Sequence, residues 1–111
     1  MYASKTLIAV AAFLSTTNAA ILNLYSDTGC KNAAGSVNVW DNTCASTGGF
    51  QSYIITTGGG IGQAITTFGP NDCAGTQTSC NSADSVNICY TAFDSAGGSN
   101  AVGSGAGCGV V

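Results

Sequence analysis

Six cysteines, Cys30, Cys44, Cys73, Cys80, Cys89 and Cys108, all lie downstream of one short apolar run, and that arrangement constrains the fold more than any other feature. The run is residues 6–14 (TLIAVAAFL), preceded by Lys5 and followed by the small and polar residues STTNAA. A positive charge, an apolar stretch and a small-residue exit make a secretory signal. Cleavage after Ala19 places Thr17 and Ala19 at the small-residue positions. Residues 1–19 are therefore expected to be removed, and residues 20–111 to form a single secreted, extracellular domain. The apolar run is far shorter than the about 20 residues that a spanning helix needs. No other stretch is apolar enough to cross, so no membrane insertion is expected after signal removal.

An even number of cysteines on an exported chain reads as a set of disulfides. A domain this small buries a modest core, and each bridge adds about 2–4 kcal/mol by restricting the unfolded chain. Zinc binding is the rival reading, but such sites use close pairs of the CxxC kind with further Cys or His. Here the nearest pair is Cys73 and Cys80, and the chain has no histidine. Many pairings are possible, and the sequence does not choose among them.

The expected mature chain carries one lysine, Lys31, against five aspartates, with no Arg, His or Glu. Phosphate backbones and anionic lipid are held by Lys and Arg, so nucleic acid is excluded as a partner. About half of these residues are Gly, Ser, Thr or Asn, interleaved with Val, Ile, Ala and aromatics. That is the composition of strands and turns rather than of a disordered chain.

The chain repeats itself. ILNLYSDTGCKN (21–32) and AITTFGPNDCAG (64–75) each pair a short apolar strand ending in an aromatic, Tyr25 or Phe68, with a cysteine five residues on. A second echo is SVNV (36–39) with SVNI (85–88), which places extra residues of the second copy in a loop containing Cys80. Two copies of one motif predict a pair of β-units sharing a core. Strands are expected at 21–25, 36–40, 51–57, 62–68 and 85–91, with a ragged last strand near Ala101 or Cys108. The run Gly58–Gly60 marks a tight link, and no segment shows sustained helical periodicity.

These residues resemble the βγ-crystallins. A Greek key of that family opens with an aromatic, four residues, a second aromatic, any residue and glycine. FGPNDCAG keeps the pattern with Cys73 in the second aromatic's place, and YSDTGCKN keeps it with Cys30 there and Asn32 for the glycine. SYIITTGGGIGQAITTF is similar to the junction between two keys, with Ser52 as the serine that starts the closing strand. The resemblance implies an all-β fold: two Greek-key motifs in one disulfide-stapled sandwich. It extends to yeast killer toxins, a bacterial metalloproteinase inhibitor and the small cysteine-rich effector candidates of filamentous fungi. Equating the two copies leads to the expectation of Cys30 with Cys44 and Cys73 with Cys89, leaving Cys80 with Cys108.

Many members bind calcium at the start of the closing strand. In register with Ser52 this chain reads TGGFQS, without the oxygen ligands, and the second copy reads DSAGGS (94–99), with one carboxylate. DNTCAS (41–46) is a near match six residues too early. Calcium takes roughly six to eight oxygens. Asp41, Asn42 and Ser46 are therefore read as a turn held by Asx hydrogen bonds, with a weak calcium site as the alternative. No cofactor and no structural metal are expected.

Without histidine the usual general base and the Ser-His-Asp arrangement are missing, and the aspartates fall in turn-like sequence. Oxidised cysteines supply no thiolate nucleophile. GGGIG (58–62) lacks the lysine of a phosphate loop and reads as a turn. Trp40, Tyr25, Tyr53, Phe50 and Tyr90 are assigned to the core. The chain is thus read as a non-enzymatic, monomeric interaction protein, effector-like or killer-toxin-like, acting on an unknown protein or cell-surface target. Two alternatives stand: a protease inhibitor presenting the loop PNDCAGTQTSC (70–80), or a cell-wall-associated structural protein without a specific partner.

Overall fold

Period-two alternation of apolar and polar side chains makes the first strand. In β1 (Ala19–Tyr25), Ala20, Leu22 and Leu24 are buried while Ile21, Asn23 and Tyr25 face outward. A computed structural model describes residues 19–93 and 97–109 of the chain. The expected signal peptide, apart from Ala19 in β1, lies outside the described residues. Every regular element among those described is a strand: β2 (Ala33–Trp40), β3 (Thr43–Phe50), β4 (Ser52–Thr57), β5 (Ala64–Phe68), β6 (Gln77–Ser82), β7 (Cys89–Thr91) and β8 (Ser99–Gly105).

The strands form two antiparallel four-stranded sheets, ordered β2-β1-β4-β7 and β3-β8-β5-β6. Advancing each strand of the first sheet by four positions, with β7 returning to β3, reproduces the second sheet. The third strand of each half therefore sits in the other half's sheet. Leu22, Leu24, Val39, Tyr53 and Ile55 from one sheet meet Ile65 and Val102 from the other in a shared core, closed by Phe50, Ala83 and Ala92. Tyr53 packs edge-on to Phe50, with ring centroids 6.5 Å apart, and lies 5.5 Å from Tyr90.

The repeat at 21–32 and 64–75 is structural, because it matches β1 with β5 and the loops that follow them. The second echo is not. SVNV lies in β2, but residues 85–88 precede β7 outside any strand, and the counterpart of β2 is β6. Cys80 accordingly sits in a strand and not in a loop. β3 and β6 were not expected as strands. TCASTGGF and QTSCNS are too poor in β-branched and aromatic residues to signal one, and their neighbours' backbones impose the conformation.

Candidate functional site

The cysteines pair as Cys30–Cys89, Cys44–Cys73 and Cys80–Cys108, with Cα–Cα distances of 6.0, 5.9 and 5.7 Å. Of the expected pairing only Cys80–Cys108 is found. The within-copy pairs Cys30–Cys44 and Cys73–Cys89 are replaced by two bridges between the copies. The reason is the exchange of third strands. Cys44 rides on β3 into the sheet of β5, beside the loop carrying Cys73, and Cys89 rides on β7 into the sheet of β1, beside the loop carrying Cys30. Cys30 and Cys73 remain equivalent to one another, as do Cys44 and Cys89, but each bridges to the opposite copy.

The near-match to a calcium motif is dispersed. Asp41 and Asn42 form the tight turn between β2 and β3, with Asn42 at φ 61°, and the turn is held by Thr43 Oγ1 donating to the Trp40 carbonyl at 2.6 Å. Ser46 lies further along β3 and donates to the Asn71 carbonyl at 2.7 Å. Among the described residues no three His, Cys, Asp or Glu side chains come together in a metal-holding group. Asp94, in the second in-register segment, lies outside the described residues.

Asp27 is the carboxylate with the most structure around it. It accepts hydrogen bonds from the backbone N–H groups of Gly29, Lys31 and Asn32 at 2.9–3.2 Å, folding residues 26–32 into a tight loop. The Asn32 N–H is the largest cause of a carboxyl pKa below its ordinary value, aided by Lys31 and Gly29 and opposed by some desolvation. Ser52, at the start of β4, pins this loop by donating to the Asp27 carbonyl and accepting from the Cys30 N–H. Ser99, which starts β8, is its counterpart and donates to the Ala92 carbonyl.

From Ser99 a chain of hydroxyls crosses the interior. Ser99 spends its proton on the Ala92 carbonyl, so Thr78 donates to Ser99 at 2.5 Å. By the same elimination Thr67 donates to Thr78 and Ser79 to Thr67, each at 2.6 Å. Tyr53 then donates to Ser79 at 3.3 Å and accepts from Asn81 Nδ2 at 2.8 Å. Burial raises the Tyr53 phenol above its ordinary pKa, against the lowering effect of Ser79 and Asn81. The chain satisfies polar groups in a thin core; it holds no general base and no nucleophile activated by one.

The segment 70–80, named as the loop an inhibitor would present, is exposed over most of residues 70–77 and anchored at several points. Its second half is β6, and its first half is tied down by Cys44–Cys73, by Ser46 on Asn71, and by Asn100 Nδ2 donating to the Gly69 carbonyl at 2.8 Å. Loop 58–63 carries the most exposed large apolar side chain among the described residues. Gly59 N–H donates to Ala83, Gln63 N–H to Gly60, and the Gln63 side chain anchors the loop on Gly60 N–H and Ser104. Ile61 at its tip is fully exposed. Three adjacent glycines signalled the turn, but nothing in the sequence marked its apex.

Of the aromatics assigned to the core, Phe50 and Tyr53 are buried there, and Tyr90 packs against it. Trp40 is a correction: it is 48% exposed. Val39 takes the inward position, so alternation turns the next residue out. Tyr25 also points outward and is half-buried. An open cleft of about 300 Å³ lies between the ends of β3 and β8, lined by Ser26, Phe50, Gln51, Ser99, Asn100 and glycine backbone, with no ionisable side chain.

The outer faces of the two sheets differ. On β3-β8-β5-β6, Thr66, Phe68 and Ala101 point away from the core and are still buried. Loop 69–75 and the tail 106–109 cover them, the tail through Cys80–Cys108 and through Gly109 N–H donating to Thr66 Oγ1 at 3.0 Å. On β2-β1-β4-β7 the outward residues Ser36, Asn38 and Trp40 are exposed, and Ile21, Asn23 and Ile54 are half-exposed. That face is the candidate interaction surface. Among the described residues no helix is long and apolar enough to cross a membrane. Compared with protein-family models, curated proteins and solved structures, the chain matches none of them.

Proposed function

We propose that this is a secreted, non-enzymatic interaction protein, effector-like or killer-toxin-like, that acts outside the producing cell. The observation that carries the reading is a small sandwich stapled between its halves that covers one sheet and leaves the other sheet's outer face open. Three disulfides in a domain of this size are typical of extracellular proteins. A rigid scaffold with an open surface and no assembled acid–base pair suits binding rather than turnover.

The βγ-crystallin-like reading belongs with this proposal. What supports it is the strand order: in each half the fourth strand returns beside the first, and the third crosses to the partner sheet, as in two interlocked Greek keys. The placement of Ser52 and Ser99 at the starts of β4 and β8 supports it too.

The test applies the purified, oxidised protein to competing yeasts and to plant tissue at micromolar concentration. Growth arrest or a tissue response that is lost on reduction is the expected outcome. A protein inert on every cell tested and retained only in its producer's own wall contradicts the proposal and favours the structural alternative.

A further inference from the structure

We propose that the open face of the β2-β1-β4-β7 sheet binds a neutral polysaccharide, with Trp40 as its stacking platform. The rows of this face follow from the strand register. Trp40 lies opposite Ala19, Asn38 opposite Ile21, and Ser36 opposite Asn23, which in turn lies opposite Ile54. None of these residues is charged. Asp27, Lys31 and Asp41, in the loops that follow β1 and β2, lie outside the strands themselves. A half-exposed indole offers a flat apolar plate to the C–H face of a pyranose ring. The amides of Asn38 and Asn23 and the hydroxyl of Ser36 offer donors and acceptors matched to sugar hydroxyls.

Size and charge choose this occupant over a protein. Three strands about 4.8 Å apart, over five residues of about 3.4 Å each, make a strip of about 250 Å². A stable protein interface needs roughly 800 Å² from each partner. A strip of that size holds a few sugar rings in line. An uncharged strip offers nothing to a polyanion and no ion pairs to a protein rim. The covered outer face of the other sheet, built on the same topology, makes the open one an exception that the fold itself does not require.

The proposal rests on the extracellular reading only in that such polymers lie outside cells, and its test needs no cell. The oxidised protein is incubated with insoluble chitin, β-1,3-glucan and cellulose, and titrated with soluble hexasaccharides of each. Trp40 is the only tryptophan, so its fluorescence reports this face alone. Expected are retention on at least one neutral polymer, a blue shift of the emission and no loss of binding in 1 M salt. Trp40→Ala should bind at least tenfold more weakly with an unchanged melting temperature, Trp40→Tyr should recover part of the affinity, and Asn38→Asp should weaken binding. No retention on any neutral polymer overturns the proposal, as does Trp40→Ala binding like the parent, or binding only to polyanions such as heparin. Those failures leave activity on cells to be judged separately.

Discussion

At the residue scale the described interior mixes thirteen buried apolar residues with six polar ones, among them Thr67 and Ser99. Ser99 and Tyr53 stand near opposite ends of one hydroxyl chain, and they differ in what their loss would strand. Ser99→Ala leaves the buried Ala92 carbonyl without its hydroxyl donor and the Thr78 hydroxyl proton without its acceptor. A cost of about 2–3 kcal/mol is expected. Tyr53→Phe removes a long bond to Ser79 and the acceptor of Asn81 Nδ2 at the partly buried end and keeps the ring in place, so about 1 kcal/mol is expected. Urea denaturation of both variants checks the order, and equal small losses would mean that the chain is not continuous. Titration gives a second check. The unfolded phenol loses its proton near pH 10. The buried phenol of Tyr53 holds its proton to higher pH, so the unfolded state binds fewer protons there. The contribution of Tyr53 is therefore constant below about pH 10 and is lost as pH rises above it. Tyr53→Phe should flatten that fall in melting temperature. Asp27 works in the opposite direction. Its folded pKa is lowered, so its contribution is present above about pH 4 and is lost as pH falls through the folded value. Asp27→Asn should remove that part of the acid slope.

At the scale of elements, what could be read from sequence tracks how strongly side chains rather than neighbours decide a strand. β1, β2, β4 and β5 carry alternating Ile, Leu, Val and aromatics and were readable. β3 and β6 are mostly Gly, Ser, Thr, Gln and Asn, and their pairing with β8 and β5 makes them strands. The exchange of β3 and β7 between sheets left no local mark, so the equivalence of Cys30 with Cys73 was readable while their partners were not. The open face was also hidden, because Trp40 reads as core until Val39 is seen to hold the inward position. The bridges should not count equally. Cys30–Cys89 spans 59 residues and Cys44–Cys73 spans 29. Doubling the closed loop adds about 0.6 kcal/mol in the chain-entropy picture. Paired Cys→Ser replacement of Cys30 and Cys89 should therefore lower the unfolding free energy by that much more than replacement of Cys44 and Cys73. The reverse order would show that the loop 69–75 and β3 depend on their bridge for more than chain entropy.

At the scale of the whole molecule, the described charges all sit in loops, and the eight strands contain none. Folding therefore draws little from ion pairs. The core, with Tyr53 and Phe50 its largest side chains, leaves a narrow margin over chain entropy. Three bridges at about 2–4 kcal/mol each are comparable with the whole net stability of a domain. The melting temperature should fall sharply with a reducing agent and stay nearly constant with EDTA or added calcium. A rise of more than a few degrees in millimolar calcium would instead make ligands of Asp41, Asn42 and Ser46.

The claim on which the rest depends is that the two halves are locked to each other by reciprocal bridges. Cleavage before aspartate under non-reducing conditions decides it, because the five aspartates separate the cysteines. The fragments are 27–40 with Cys30, 41–71 with Cys44, 72–83 with Cys73 and Cys80, 84–93 with Cys89, and 94–111 with Cys108. Mass spectrometry should find 27–40 joined to 84–93 alone, and 41–71, 72–83 and 94–111 joined as one three-fragment species. Fragment 27–40 joined to 41–71 would mean that each copy is stapled to itself, and the exchange of strands between halves would lose its covalent lock.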